Sequence, residues 1–142
     1  GDANKLISTN SSGKVDTTLL PAGIGVSTVT ATASEAISAG DFVNLYSVTG
    51  TLTARKADNS NGRDAKGFVL AAISNAATGT IYLSGQNTSV TALTPGTVYF
   101  LGVSGGVTTT APTTSGTTIQ LLGYTLSATN LMFEFDEPTA IL

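Results

Sequence analysis

Two clusters of charged side chains carry residue types and spacings that could do chemistry in this 142-residue chain. The first is Glu134, Asp136 and Glu137. Paired acids can hydrolyse glycosides or hold a cation. In a strand, alternation would put Glu134 and Asp136 on one face and Phe133 and Phe135 on the other. No Asn/Asp/Gly ligand loop accompanies the acids, so the segment reads as an amphipathic edge strand with a solvated face. The second cluster is Arg55, Lys56, Asp58, Arg63, Asp64 and Lys66. It holds six of the chain's fifteen charges and is locally net positive by two. It reads as a contact to an acidic partner surface or as docking across a subunit interface, against the alternative of an ordinary solvated loop. The positive loop and the negative C-terminal strand could meet between neighbouring copies.

The rest of the composition excludes more than it offers. With no Cys and no His, disulfides, Cys/His zinc sites and the Ser-His-Asp and Cys-His nucleophile systems are ruled out. No cofactor and no metal are expected. A formal charge of −3 and a pI near 4.5 argue against nucleic acid as a partner. No apolar run approaches the roughly 20 residues that span a bilayer, so no membrane is expected either. No signal peptide is visible, and the chain starts at Gly1 rather than Met, as a processed product or a fragment would. Gly102-Val103-Ser104-Gly105-Gly106 lacks the following helix and Lys-Ser/Thr of a phosphate-binding loop. Asn10 and Asn87 each head an N-x-S/T triplet, a pattern with many false positives.

Only 11% of residues are charged, against roughly 25% in an average domain, while 25 are Thr and 16 are Gly. Thr favours strands because its branched Cβ sits well on a pleated surface. A charge-poor, Thr-rich surface suits a protein packed against its own copies or a larger assembly; a secreted β-module fits as well.

The elements that must position these clusters come from a duplication. Ala36, Gly40, Leu45, Gly50, Thr53, Gly67, Leu70 and Ala72 recur 56 residues later as Ala92, Gly96, Leu101, Gly106, Thr109, Gly123, Leu126 and Ala128, with no gap. Phe42 answers to Val98, and Phe68 to Tyr124. Glycine recurs where the backbone needs positive φ or a close approach, so the copies share turns. The expected fold is all-β: a pseudo-twofold β-barrel or sandwich built from a duplicated β-unit, preceded by an extended N-terminal arm. Residues 1–23 form the arm, and residues 24–142 form one β-domain with its internal repeat at 36–74 and 92–130.

Within the arm, Asp16 could cap one helical turn over Thr17–Leu20, with Val15 and Leu20 at staple spacing and Pro21 ending it. Strands are expected over 24–33, 41–47, 51–56, 67–73, 80–84, 97–103, 107–110, 118–126 and 131–135. Two hairpins turn at Thr49-Gly50 and Gly105-Gly106.

Two stretches resemble bacteriophage structural proteins. The arm, from Asp2-Ala3-Asn4-Lys5-Leu6-Ile7 through Gly13-Lys14-Val15-Asp16 to Leu19-Leu20-Pro21, resembles a segment of phage virion and tail-fibre chains. Ala36-Ile37-Ser38-Ala39-Gly40-Asp41, Leu93-Thr94-Pro95-Gly96, Tyr99-Phe100-Leu101 and Gly123-Tyr124-Thr125-Leu126-Ser127-Ala128-Thr129 resemble phage capsid cement (head decoration) proteins. The resemblance implies a β-rich homotrimer on the outer surface of the capsid, clamping adjacent copies of the major capsid protein, with no catalytic residue to carry over. The candidate partner contacts are Leu6, Ile7, Val15, Leu19 and Leu20 in the arm and Arg55, Lys56, Arg63 and Lys66 in the loop. A tail-fibre or receptor-binding module is the alternative, with glycan binding by exposed aromatics as its signature; an enzyme is the remotest reading.

Overall fold

The computed structural model describes residues 9, 11, 13–15 and 25–140. The helical turn expected over Thr17–Leu20 and the strand start expected at Ile24 lie outside the described residues. Every element among them is a strand.

Five strands close a barrel: β1 (Thr28–Ala33), β2 (Phe42–Val48), β3 (Thr51–Lys56), β4 (Gly67–Phe68) and β5 (Thr78–Tyr82), in the order β1-β3-β2-β4-β5. β1 completes the circle, antiparallel to β5 and parallel to β3 through Thr32↔Thr53 and Ala33↔Ala54. A second sheet follows, formed by β6 (Gly85–Asn87), β7 (Val98–Leu101), β8 (Val107–Thr108), β10 (Leu121–Ser127) and β11 (Asn130–Phe133). Its order is β6-β11-β10-β7-β8. The short β9 (Thr118–Ile119) pairs with β12 (Thr139–Ala140). The expected all-β barrel or sandwich fits this architecture of a closed barrel and a second sheet.

The duplication is visible bond by bond. Phe42 faces Phe68 and Val43 faces Gly67 across β2 and β4; their equivalents Val98 and Tyr124, Tyr99 and Gly123 are paired the same way across β7 and β10. Gly40 N–H donates to Val69 C=O (2.8 Å) as Gly96 N–H does to Thr125 C=O (2.9 Å). Read from β1 round the barrel, the order β1-β5-β4-β2-β3 is repeated as β6-β11-β10-β7-β8. The second sheet is therefore the same barrel left open at one seam, between β6 and β8.

Side-chain size accounts for the difference. The first seam is lined by buried Ala31, Ala33 and Ala54, which let the strands close tightly around Ile37, Val43, Val69, Ile73 and Ile81. Their equivalents 56 residues on are Asn87, Ser89 and Thr110. The second unit points Tyr99, Leu101, Leu122, Leu131 and Phe133 inward, and that bulk wraps around the outside of the barrel, onto Phe42, Ala57, Ala65 and Phe68. Phe133 meets Phe42 and Phe68 edge-on, with ring centroids 5.3 and 5.9 Å away. The units thus pack inside against outside. Phe42 and Phe68 are at most 1% exposed, whereas their equivalents Val98 and Tyr124 are 49% and 51% exposed.

One repeated glycine pair is fixed by close approach. A Cβ on Gly67 would lie 2.5 Å from the carbonyl oxygen of Tyr82, and one on Gly123 would overlap that of Met132. In both units this is where the next strand crosses. The second hairpin departs from the sequence reading: its turn is centred on Ser104 and Gly105 (φ 52° and 80°), closed by Gly106 N–H to Val103 C=O, rather than on Gly105-Gly106. Gly105 is pinned to the first unit, donating to Ala57 C=O (2.6 Å) and accepting from Phe42 N–H (2.9 Å). Asn87 is fully buried and donates to Gly40 C=O at 2.9 Å, so its N-x-S/T triplet is structural.

Candidate interaction surface

The cationic cluster grows out of β3 and the loop behind it. Strand geometry places Arg55 beside Asn44 of β2, whose Oδ1 accepts from its Nε at 2.9 Å, and its guanidinium lies 4.3 Å from the Tyr46 ring centroid. Lys56 Nζ reaches Asp41 at 3.5 Å and Arg63 reaches Glu35 at 4.0 Å. Glu35 also accepts the Lys56 N–H at 2.9 Å. Lys66 pairs with Asp64 at 2.5 Å, and its Nζ stands 4.7 Å from the Phe135 ring centroid. The excess of two positive charges read from residues 55–66 is therefore balanced in space by Glu35 and Asp41. Four cations alternate with four acids.

Asp58 organises the loop. Its carboxylate accepts from Ser60 Oγ (2.6 Å), Ser60 N–H (2.9 Å) and Ser104 N–H (3.0 Å), tying the loop to the turn of the second unit. Partial burial pushes its pKa up, but the bonds from Ser60 and Ser104 and the charge of Arg63 outweigh that and hold it below the ordinary value of 3.8.

The C-terminal acids sit differently from the sequence reading. β11 ends at Phe133, so Phe133 and Phe135 do not share a face: Phe133 is in the core and Phe135 is exposed. Phe135 stands between two hollows. One, about 280 Å³, runs over the outer face of the second sheet and is lined by Val98, Leu121, Gly123, Tyr124, Met132 and Phe135, with Glu134 and Asp136 also on its wall. Tyr124 is the middle of a cross-strand row, opposite Val98 on β7 and Met132 on β11. The other hollow is lined by Leu45, Lys66, Leu83, Phe135 and Glu137. The positive loop and the C-terminal segment thus meet within one chain, at Lys66 and Phe135.

Among the described residues, no group of three or more His, Cys, Asp or Glu is placed to hold a metal ion, and no helix is long and apolar enough to cross a membrane. Leu6, Ile7, Leu19 and Leu20 lie outside the described residues; Val15 is described and is 40% exposed. Sequence reasoning singled out the charges and missed the groove. The signal was present in the repeat, where Val98 and Tyr124 keep the apolar character of Phe42 and Phe68.

No protein-family model matches the chain, and no curated protein matches it. Among solved structures, the chain is similar to the head fiber gp8.5 N base in bacteriophage phi29, with 13% sequence identity, a TM-score of 0.53, and a match covering 80% of this chain and 99% of that one. At that identity, what the two chains share is the all-β fold.

Proposed function

We propose that this chain is a bacteriophage virion protein that binds the outside of the assembled head and stabilises contacts between major capsid protein subunits. The observation that carries the reading is the fold shared with a phage head fiber base over 80% of the chain. The cement-like stretches around Gly40, Gly96 and Gly123 support it, and they fall on the repeated turns and crossings. The role is structural and not enzymatic. A subunit that binds the assembled shell, and not free capsid subunits, stabilises the shell by mass action. The arm is the clamp, because an extended segment covers much surface per residue at an ordering cost. A homotrimer on the outer capsid surface completes the reading.

The test is to add the purified chain to heads that lack it. Saturable binding, symmetric density on the head lattice and a raised temperature of head disruption are expected, with no binding to unassembled capsid protein. Removal of residues 1–20 should leave a folded domain that no longer binds heads. Density confined to the tail overturns the proposal. A second reading, the base of a projecting head fibre, is favoured by the nature of the structural neighbour; the same images separate it by density rising away from the shell.

A further inference from the structure

We infer that Asn61 is a site of spontaneous covalent modification: its side chain closes on the Gly62 nitrogen, loses ammonia and leaves a new acid in the cationic loop. The inference goes beyond the virion reading and does not depend on it.

Three observations carry it. First, the residue pair occurs once. Of the eight Asn in the chain, Asn61 alone is followed by Gly. Asn is among the thermolabile residue types, and a following glycine has no Cβ to shield its main-chain nitrogen. Second, the fold leaves both reacting groups free. Asn61 and Gly62 are exposed, Gly62 has φ +71°, and a Cβ on Gly62 would meet nothing within 4 Å. Among the described residues, neither the Asn61 side chain nor the Gly62 N–H is hydrogen-bonded. Asn59, in the same loop, shows the opposite. It is 8% exposed, its Nδ2 donates to Leu101 C=O at 2.7 Å, and its N–H donates to Gly102 C=O at 3.1 Å. Third, the loop is anchored at its base. Asp58 and Arg63 exchange main-chain bonds of 2.7 and 3.2 Å, so the tip can rearrange while its ends stay in place.

The Gly62 nitrogen, deprotonated by hydroxide, bonds to Cγ of Asn61. The Cγ–Nδ2 bond breaks, and Nδ2 leaves as ammonia with a proton from water. Water then opens the cyclic imide at one of its two C–N bonds. One opening gives aspartate; the other carries the main chain through the side chain as isoaspartate. Either product takes the formal charge from −3 to −4 and sets a carboxylate two residues from Arg63. The isoaspartate also inserts a methylene into the loop that Asp58 ties to the Ser104 N–H at 3.0 Å.

The test is to hold the folded full-length chain in neutral and in mildly alkaline buffer and to follow it by ion-exchange chromatography and peptide mass spectrometry. A species more acidic by a single charge is expected, with the amide-to-acid mass change in the peptide that holds Asn61, and it should form faster at the higher pH. Asn61→Gln should remove that species. Asn61→Asp, which has no ammonia to lose, should elute with it from the start. Both changes sit at an exposed tip, so failure to fold does not explain their effect. An Asn61 peptide that keeps its amide in the folded chain overturns the inference, whether or not the urea-unfolded chain converts. So does conversion at Asn59, or at the exposed Asn75 that precedes Ala76, as fast as at Asn61.

Discussion

Gln120 holds both main-chain groups of Ala65. Its Oε1 accepts the Ala65 N–H at 2.7 Å and its Nε2 donates to the Ala65 carbonyl at 2.9 Å, while the same Nε2 reaches the Asp136 carbonyl at 3.0 Å. The side chain is 1% exposed and acts as a length of strand linking the two units. Gln120→Leu therefore strands a donor and acceptors in the core and should cost roughly 2–4 kcal/mol. Gln120→Glu should be worst at neutral pH, where a buried carboxylate faces two carbonyl oxygens. Its penalty should shrink as pH falls towards about 4.3, because burial beside two carbonyls raises the folded-state pKa and the protonated acid donates again. Urea denaturation at both pH values measures this.

Phe68 and Tyr124 are repeat equivalents with unlike surroundings. Phe68→Ala removes a ring packed on Phe42, Tyr82 and Phe133 and should cost about 3–5 kcal/mol. Tyr124→Ala takes away an exposed ring and should stay within about 0.5 kcal/mol. Equal losses in thermal unfolding would contradict the inside-to-outside packing.

Gly123→Ala places a Cβ on the Met132 carbonyl oxygen at φ +138°, against backbone that cannot swing aside. The strain alone is on the order of 1–3 kcal/mol, and the clash adds to it. Gly116 has φ +83° with open space around it, so Gly116→Ala should cost only about 1 kcal/mol. Denaturant midpoints of the two variants give the contrast.

Asp58 sets an acid limit on the loop. Because its folded-state pKa is depressed, its contribution is present above the ordinary value of 3.8 and is lost as pH falls below it. Asp58→Ala should cost about 1 kcal/mol at neutral pH, from lost bonds to Ser60 and Ser104. The gap between wild type and variant should close towards pH 2, as followed by thermal melts.

Much of this fold was legible because a duplication writes the same constraints twice. The 56-residue offset located the glycines at which strands cross, and the β3 boundaries follow directly from Thr51–Lys56. The charged loop misled because its partners are distant in sequence: Glu35 lies 28 residues before Arg63, and Asp41 lies 15 before Lys56. The hairpin turn slipped by one residue because Gly105 answers to Ala57 and Phe42, which no local pattern reports. Phe133 and Phe135 looked like a pair until the strand ended between them. The groove was hidden because periodicity marks Val98 and Tyr124 as apolar positions without saying that, among the described residues, only the Phe42–Phe68 row is buried.

The unequal closure of the two units also sets an order of assembly. The first barrel joins its own ends through Thr32–Ala33 and Thr53–Ala54 and encloses a core of its own. The second has no such closure, and its inward Tyr99, Leu101 and Phe133 find cover on the surface of a finished neighbour. Duplication here leaves one unit closed on its own core and one whose inward side chains are covered by the other. Amide exchange should accordingly open β6–β11 at lower free energy than β1–β5, with the leading unit persisting as the last cooperative block to melt.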